Sequence, residues 1–343
     1  MLMKRISYWY LGLTFVMVVW ATVYPVTKIV VRDVDPLIIS LLRYVIGVVP
    51  MVPFFIVEIR KRDASPGPGD MLKMSFLGIL GVTFFALFLF YGIKFSTASN
   101  GSLLANTQPI FTTLFAPLLI SEKFSVSRII GAFAGVVGIA VIVTDGNLAQ
   151  FLTFSSAHFL GNLLLVGSAI SISIYSIFLK GFVRKYGGLI PTFITMLSGS
   201  FFLVISILIF HGDFSGLTRI APLNWLALLY VGIIGTAIVY LIFNRALGAV
   251  GVVRSTGFKL MIPLFGVLFS ILMLGEKPDI YYVTGAVIVI ASIYFIQKPP
   301  VVKGGRETLK GKVSKASGEE IQESVEVRNI SEETIKHTLK HTI

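Results

Sequence analysis

The sequence predicts an all-α integral membrane protein with ten transmembrane helices in two inverted five-helix repeats. Of its 343 residues, 55% are hydrophobic and 13% are charged, whereas a soluble domain carries about 25% charged residues. The apolar residues fall into stretches of about 20, which is long enough to cross a hydrocarbon core of about 30 Å. In addition, the first half of the chain matches the second half at a constant spacing, as described below.

Ten apolar stretches are separated by short segments rich in Gly, Pro and charged residues. Runs such as 131–143 show no alternation of polar and apolar residues, so helices are favoured over the strands of a membrane barrel. The predicted spans are Tyr8–Val31, Leu37–Val57, Ser75–Ile93, Ala98–Ile120, Ser127–Thr144, Ala157–Lys180, Ile190–Phe210, Leu223–Ala246, Val250–Leu274 and Ile280–Gln297.

The remaining segments complete a predicted topology in the cell membrane. Residues 1–7 form a cytoplasmic N-terminus, 8–144 and 157–297 the two repeats, and 298–343 a charged, disordered cytoplasmic tail. With the N-terminus inside, thirteen Lys and Arg residues lie at cytoplasmic span ends or loops and five lie outside. Because cytoplasmic loops carry the excess of cations, both termini are expected in the cytoplasm.

Several function classes are disfavoured by the composition. The net charge of +12 fits cytoplasmic loops that face anionic lipid, so no nucleic-acid partner is expected. The absence of cysteine excludes thiolate catalysis. No Asp, Glu or His lies inside a predicted span, and no glycine-rich phosphate loop is present. We therefore expect no enzyme, no metal and no cofactor.

An internal repeat relates the two halves at a spacing of 154 residues. Gly78 aligns with Gly232 and Pro109 with Pro263, and 13 of 55 positions from 78 to 132 are identical without a gap. Each unit has five spans, so the second unit enters the bilayer in the opposite direction. Inverted repeats are a common design of transporters, with the substrate site near the midplane at the repeat interface.

Short motifs in both halves resemble the two EamA-type units of the drug/metabolite transporter superfamily. The residues that carry the resemblance are Trp20-Ala21-Thr22-Val23-Tyr24-Pro25, Arg43, Pro109 with Glu122-Lys123, and Pro263 with Gly275-Glu276-Lys277. The resemblance covers about residues 8 to 297, although no Trp of the second unit corresponds to Trp20. It implies a ten-helix exporter or exchanger of small organic metabolites that works by alternating access.

Lys259 is the strongest candidate for a substrate-binding residue. It lies about ten residues into its predicted span, and cations at that depth are rare and usually mark a substrate or ion pathway. Its repeat position is followed by Asn106 and Gln108, just before Pro109. We expect Lys259 to bind an anionic group and the two amides to orient the substrate. The alternative is that Lys259 extends to the cytoplasmic surface.

Arg43 and four aromatic residues are further candidates. Arg43 could bind a carboxylate of the substrate, or it could pair with Asp33 or Asp35 in the preceding loop. Residues with an aromatic body and a polar tip suit the wall of a cavity for amphipathic ligands, although packing and an interfacial belt are alternatives. These aromatic candidates are Trp20, Tyr24, Tyr91 and Tyr175.

A Glu-Lys pair follows the fourth span of each unit, Glu122-Lys123 and Glu276-Lys277. A carboxylate is badly placed at a helix C-terminus but can serve the start of the next helix. We therefore interpret the pairs as a structural motif at helix ends, with gating as the alternative.

The expected partners are a small-molecule substrate and the lipid bilayer, and a homodimer is left open. One rival function is a sugar-phosphate-type anion exchanger, in which Lys259 and Arg43 would both hold phosphate. Another is a non-transporting membrane scaffold or sensor. Two cations in one cavity would favour phosphate, whereas one cation among aromatic residues would favour amino acids or amphipathic metabolites.

Overall fold

A computed structural model describes residues 2–61, 65–120, 126–147, 156–210, 214–250, 255 and 258–297, and within these ranges the chain forms helices and turns without a strand. Nine helices of this part are long and apolar enough to cross a membrane, and Phe258–Leu274 is a shorter apolar helix. In chain order they are α1 (Tyr8–Val30), α2 (Pro36–Arg60), α3 (Pro68–Phe95), α4 (Ala98–Ile120), α5 (Val126–Thr144), α6 (Ala157–Tyr186), α7 (Leu189–Phe210), α8 (Pro222–Ala246), α9 (Phe258–Leu274) and α10 (Ile280–Gln297).

The helices follow the predicted spans closely, with differences at their ends. The helix of α1 already begins at Leu2, and the helix that ends α8 continues to Val250, where the ninth span was expected to begin. Three helices start on a proline, whose missing N–H would be unsatisfied at that position anyway. Glu122, Lys123 and the tail 298–343 lie outside the described residues.

The two halves exchange equivalent contacts. Helix α1 packs against α8 and α9 of the second half, and its counterpart α6 packs against α3 and α4 of the first half. Likewise α2 contacts α8 while α7 contacts α3, and α5 packs along α10. This interchange of partners is expected of two inverted repeats.

The end of α9 lies beside the start of its matched helix α4. The carboxylate of Glu276, just after α9, binds backbone amides at the start of α4, although α4 and α9 correspond in the repeat. We call this side of the bundle the Glu276 end. The opposite side, where Arg245 of α8 lies over the Phe54 ring of α2, is the Arg245 end.

Departures from regular helix recur at matched positions in the two halves. A π-helical segment spans Ile79–Phe84 in α3, and another spans Tyr230–Ile238 in α8. Tight 3₁₀ turns occupy Ala105–Thr107 and Phe258–Leu260, shortly before Pro109 and Pro263. Proline cannot donate a helix hydrogen bond, and both kinds of irregular turn are frequent near functional sites.

Small residues allow α5 and α10 to approach closely. A Cβ atom at Gly285 would lie 2.7 Å from the Gly138 carbonyl oxygen and 2.4 Å from Ile142. A Cβ atom at Gly135 would meet Ile110 and Ser292, and the Ser292 hydroxyl donates to the Gly131 carbonyl oxygen at 2.6 Å. Close backbone approach at small residues is the usual way in which membrane helices associate.

The substitution Gly285→Ala should therefore destabilise the bundle. The new methyl group meets a carbonyl oxygen that cannot rotate away, and overpacking of this kind costs about 1–3 kcal/mol. The matched control is Gly181→Ala, because a Cβ atom there has no neighbour within 4 Å. We expect thermal unfolding in detergent to occur at a lower temperature for Gly285→Ala alone. Equal melting temperatures of the two variants would contradict this packing.

Candidate substrate site

A cavity of about 90 Å³ lies at the centre of the bundle. Its wall combines residues from both halves and from the irregular turns that precede Pro109 and Pro263. The lining residues are Trp20, Val23, Tyr24, Arg43, Phe85, Leu89, Ala105, Asn106, Gln108, Ile172, Tyr240, Lys259 and Ile262.

Lys259 reaches this cavity from the 3₁₀ turn that opens α9. Its ammonium nitrogen lies 5.8 Å from the ring centroid of Trp20 and 5.4 Å from that of Phe243. The faces of aromatic rings attract a cation at these distances. Among the described residues, no carboxylate or carbonyl binds the ammonium group, so its charge is available to a ligand.

Arg43 lies on the same cavity and is 6% exposed. Its Nε donates a hydrogen bond to Thr236 Oγ1 at 3.2 Å, and its guanidinium carbon lies 5.6 Å from the ring centroids of Tyr44 and Phe90. Thr236 donates in turn to the Val231 carbonyl oxygen, across the π-helical segment of α8. This segment therefore supports Arg43 beside the cavity.

Asp33 and Asp35, which the sequence suggested as alternative partners of Arg43, bind other groups. Asp33 accepts a hydrogen bond from Asn224 Nδ2 at 3.2 Å. Asp35 caps α2 by accepting the amide hydrogen of Leu37 at 2.8 Å. Both aspartates thus hold helix ends at the Glu276 end of the bundle.

Asn106 and Gln108 line the cavity, and the amide nitrogens of both donate hydrogen bonds to neighbouring protein groups. Asn106 Nδ2 donates to Tyr24 Oη at 2.7 Å and to the Ser102 carbonyl oxygen at 2.8 Å. Gln108 Nε2 donates to Ser176 Oγ at 2.7 Å. Asn106 therefore fixes the Tyr24 hydroxyl, and the group that it can offer to a substrate is its carbonyl oxygen.

Two of the expected aromatic residues lie away from the cavity. The Tyr91 hydroxyl is 3.4 Å from Asp35 Oδ1, and its ring stacks on Phe95. The Tyr175 hydroxyl is 3.0 Å from Thr195 Oγ1, and its ring fills the space beside Gly81. Tyr91 therefore belongs to the Glu276 end, and Tyr175 to the packing of α6 against α3 and α7.

Sequence analysis missed several aromatic and polar residues around the cavity. Tyr240 lines the wall opposite Trp20, with ring centroids 5.6 Å apart, and Phe243 packs 5.2 Å from Trp20. Thr236 positions Arg43 as described. The depth of Tyr240 within an apolar span is the same signal that singled out Tyr24, so Tyr240 could have been found from sequence.

Glu276 does not serve the start of the next helix, and the sequence-based expectation was wrong on this point. Its two carboxylate oxygens accept from the backbone amides of Ala98 and Ser99 at 2.8 and 2.9 Å, and Ser99 Oγ donates at 2.6 Å. Asp279 instead caps α10 by accepting the amide hydrogen of Tyr282. Gly275 has φ +67, and this left-handed turn directs Glu276 back towards α4.

A second cavity, of about 280 Å³, lies beside Glu276 and includes Lys277. His158 and Asp145 face each other there at 3.9 Å. Burial raises the pKa of Asp145; His158 opposes this shift, and the Asp279 carboxylate adds to it. This region is polar and lies at the ends of helices, apart from the central cavity.

The formally charged side chains that the structure describes on the wall of the central cavity are all positive. Among the described residues that line it, Arg43 and Lys259 carry formal positive charge and none is Asp or Glu. Apolar helices of membrane-spanning length that surround a partly polar cavity are typical of a solute transporter.

The chain belongs to the EamA-like transporter family, whose sequence pattern matches residues 7–144 and 159–297. An uncharacterized transporter of Archaeoglobus fulgidus is 27% identical over 285 residues, which cover 83% of this chain and 96% of that protein. The uncharacterized transporter YdfC of Bacillus subtilis is 26% identical, with 80% and 86% covered. A chloroplastic WAT1-related protein of Arabidopsis thaliana is 23% identical, with 82% and 67% covered.

A solved crystal structure has the same fold. It is 18% identical in sequence and superposes with a TM-score of 0.57, covering 84% of this chain and 96% of the other. The family match, the related transporters and the apolar helices together show that the chain is a multi-pass membrane protein of a transporter family.

Proposed function

We propose that this protein is a transporter, not an enzyme, that carries small organic anions across the cell membrane by alternating access. The observation that carries this proposal is the pairing of Arg43 and Lys259 on one cavity whose described lining includes no carboxylate. Two cations held in an apolar bundle are costly, and an anionic substrate would compensate them. We place both termini in the cytoplasm, so that the Arg245 end faces inward.

The rest of the wall suits the organic part of the substrate. Trp20, Tyr24, Phe85 and Tyr240 present aromatic surface beside the two cations. Such a wall can bury a carbon skeleton while Arg43 and Lys259 hold its charged group. Bare inorganic anions would make no use of these aromatic surfaces.

The size of the cavity supports alternating access. Sites for drug-sized ligands measure about 300–1,000 Å³, whereas this cavity measures about 90 Å³. The conformation described here therefore holds a few water molecules at most. A substrate requires the lining helices to separate, and exchange between two such openings is how inverted-repeat transporters work.

Counterflow into proteoliposomes tests the substrate class. Vesicles preloaded with unlabelled compound should accumulate labelled phosphate esters or carboxylates and should not accumulate neutral or cationic analogues of similar size. Two cations favour a phosphate ester over a monocarboxylate, since its doubly charged group can engage both. Preferential uptake of a cationic or neutral analogue would contradict the proposal.

Transport should not depend on protonation of a carboxylate buried in the membrane. Proton-coupled carriers use Asp, Glu or His inside the bilayer, and within the described part of the chain the cavity has none. We expect an imposed pH gradient to change flux less than twofold at a fixed substrate gradient. Proton-driven accumulation that survives in Lys259→Met would contradict this expectation.

A further inference from the structure

Two charged side chains hold the loop between α3 and α4 at the Glu276 end. Glu276 accepts three hydrogen bonds from Ala98 and Ser99 at the start of α4. Lys28 of α1 donates to the carbonyl oxygens of Ile93 at 2.7 Å and Lys94 at 3.1 Å, and also to that of Ser96, at the end of α3. The signs are complementary, because a helix presents free N–H groups at its start and free C=O groups at its end.

These contacts join the helices that form the cavity wall. Helix α3 contributes Phe85 and Leu89 to the wall and α4 contributes Ala105, whereas α1 contributes Trp20 and α9 contributes Lys259. Separating α3 and α4 from α1 and α9 at the Glu276 end would therefore open the cavity on this side. The carboxylate and the ammonium group link these helices at the Glu276 end, and the Asn106–Tyr24 hydrogen bond joins α4 to α1 beside the cavity.

The Arg245 end has a cavity of its own. A cavity of about 440 Å³ lies there between α2, α8 and the turn that joins α6 to α7, and its wall includes Glu58, Asn244 and Arg245. Asn244 is one helical turn from Tyr240 of the central cavity, on the same face of α8. In the described residues, Glu276 and Lys28 thus hold the helices together at the Glu276 end, and a cavity of about 440 Å³ lies at the other end.

We propose that Glu276 and Lys28 are the gate of the Glu276 end, and that release of their contacts opens the central cavity to that side. The proposal rests on the proposed transport by alternating access. It assigns the two side chains a role in access to the cavity, separate from substrate binding.

The contacts are suited to reversible release. The third free amide of α4, that of Asn100, is capped by the Thr97 side chain at 3.0 Å, so the first turn does not depend on Glu276 alone. Water can solvate the amides of Ala98 and Ser99 when the carboxylate leaves, because they lie at a helix end beside the polar cavity of Asp145 and His158. The helix start therefore survives opening.

Thiol labelling from one side measures access directly, because the chain contains no cysteine. The reporter is Ala105→Cys on the cavity wall, probed in oriented membrane vesicles with an impermeant maleimide applied at the Glu276 end. We expect Glu276→Gln to increase the labelling rate about tenfold, which corresponds to about 1.4 kcal/mol. An increase of less than threefold would overturn the proposal.

Matched variants separate gating from general damage. Lys277→Gln changes the neighbouring charge and should leave the labelling rate within twofold, whereas Lys28→Met should raise it at least threefold. If Glu276→Gln does not fold, Lys28→Met and Ser99→Ala replace it in the test, since Ser99→Ala removes one of the three hydrogen bonds. The proposal would be overturned if neither variant raised the labelling rate. Labelling requires no substrate, so failure of anion transport would leave this result interpretable.

Discussion

Replacing Lys259 by methionine should weaken binding of an anionic substrate by about 10- to 150-fold. Hydrogen bonds to a charged group contribute about 1.5–3 kcal/mol net, which corresponds to that range. Methionine keeps the unbranched apolar stem that packs near Trp20 and Phe243, so the fold should be preserved. The measurement is the dissociation constant of the best transported anion, with flux into proteoliposomes as a second readout.

The matched control is Lys94→Met, because the Lys94 side chain is exposed at the end of α3. Its affinity and flux should stay within twofold of those of the parent. Unchanged affinity of a well-folded Lys259→Met variant would remove Lys259 from the site and leave Arg43 as its charged group.

Replacing Arg43 by glutamine should reduce affinity by a similar factor, about 10- to 150-fold. The amide retains some hydrogen-bonding capacity but loses the charge and the two-pronged geometry that a phosphate or carboxylate prefers. Thr236→Val should have a smaller effect, roughly 2- to 10-fold, since it removes one neutral partner that orients the guanidinium group. Arg219→Gln, at an exposed position, is the control.

The dependence on substrate charge distinguishes binding from folding defects. The Arg43 and Lys259 variants should lose affinity for doubly charged phosphate esters more than for monocarboxylates. Equal loss for neutral and anionic compounds, together with a lower melting temperature, would indicate that Arg43 stabilises the bundle through Tyr44, Phe90 and Thr236 alone.

The helical architecture could be predicted from the sequence, because the apolar stretches and the polar segments between them can be read directly from the residues. It also identified six residues that the structure brings to one cavity. Lys259 was identified as a cation deep within a span, and the repeat then led to Asn106 and Gln108, since matched prolines mark the same depth in both halves. Their grouping with Trp20, Tyr24 and Arg43 depended on long-range packing that sequence alone does not specify.

Tyr91 and Tyr175, which lie away from the cavity, show that the depth of a residue within a span does not determine the direction of its side chain. Phe85 and Leu89 line the cavity, and Tyr91 lies about 200° around α3 from Leu89 at 100° per residue. Ile172 lines the cavity and Ser176 binds Gln108, whereas Tyr175 is rotated by about 60° from Ile172 and by about 100° from Ser176. Sequence gives the depth of a side chain, but its direction depends on which face of the helix meets the cavity.

The expectation that Glu276 serves the next helix was wrong for a different reason. Sequence proximity favoured the next helix, but the left-handed turn at Gly275 reverses the chain and Asp279 already caps α10. The nearest free amides then belong to α4, more than 170 residues away in the chain. Sequence alone does not show which helix start Glu276 or Asp279 binds, because that depends on the three-dimensional path of the turn.

The π-helical segments carry a consequence for how this chain tolerates insertions and deletions. A π-turn accommodates one more residue than an α-turn, so it absorbs one extra residue and leaves the direction of the helix beyond it unchanged. In α8 the residues downstream of Tyr230–Ile238 include Tyr240 and Phe243. Loss of a single residue between positions 230 and 238 should therefore be tolerated, because the segment can shorten to regular α-helix. Tyr240 would keep its place on the cavity wall and Phe243 its contact with Trp20. An insertion that the segment does not absorb would instead rotate both rings by about 100°.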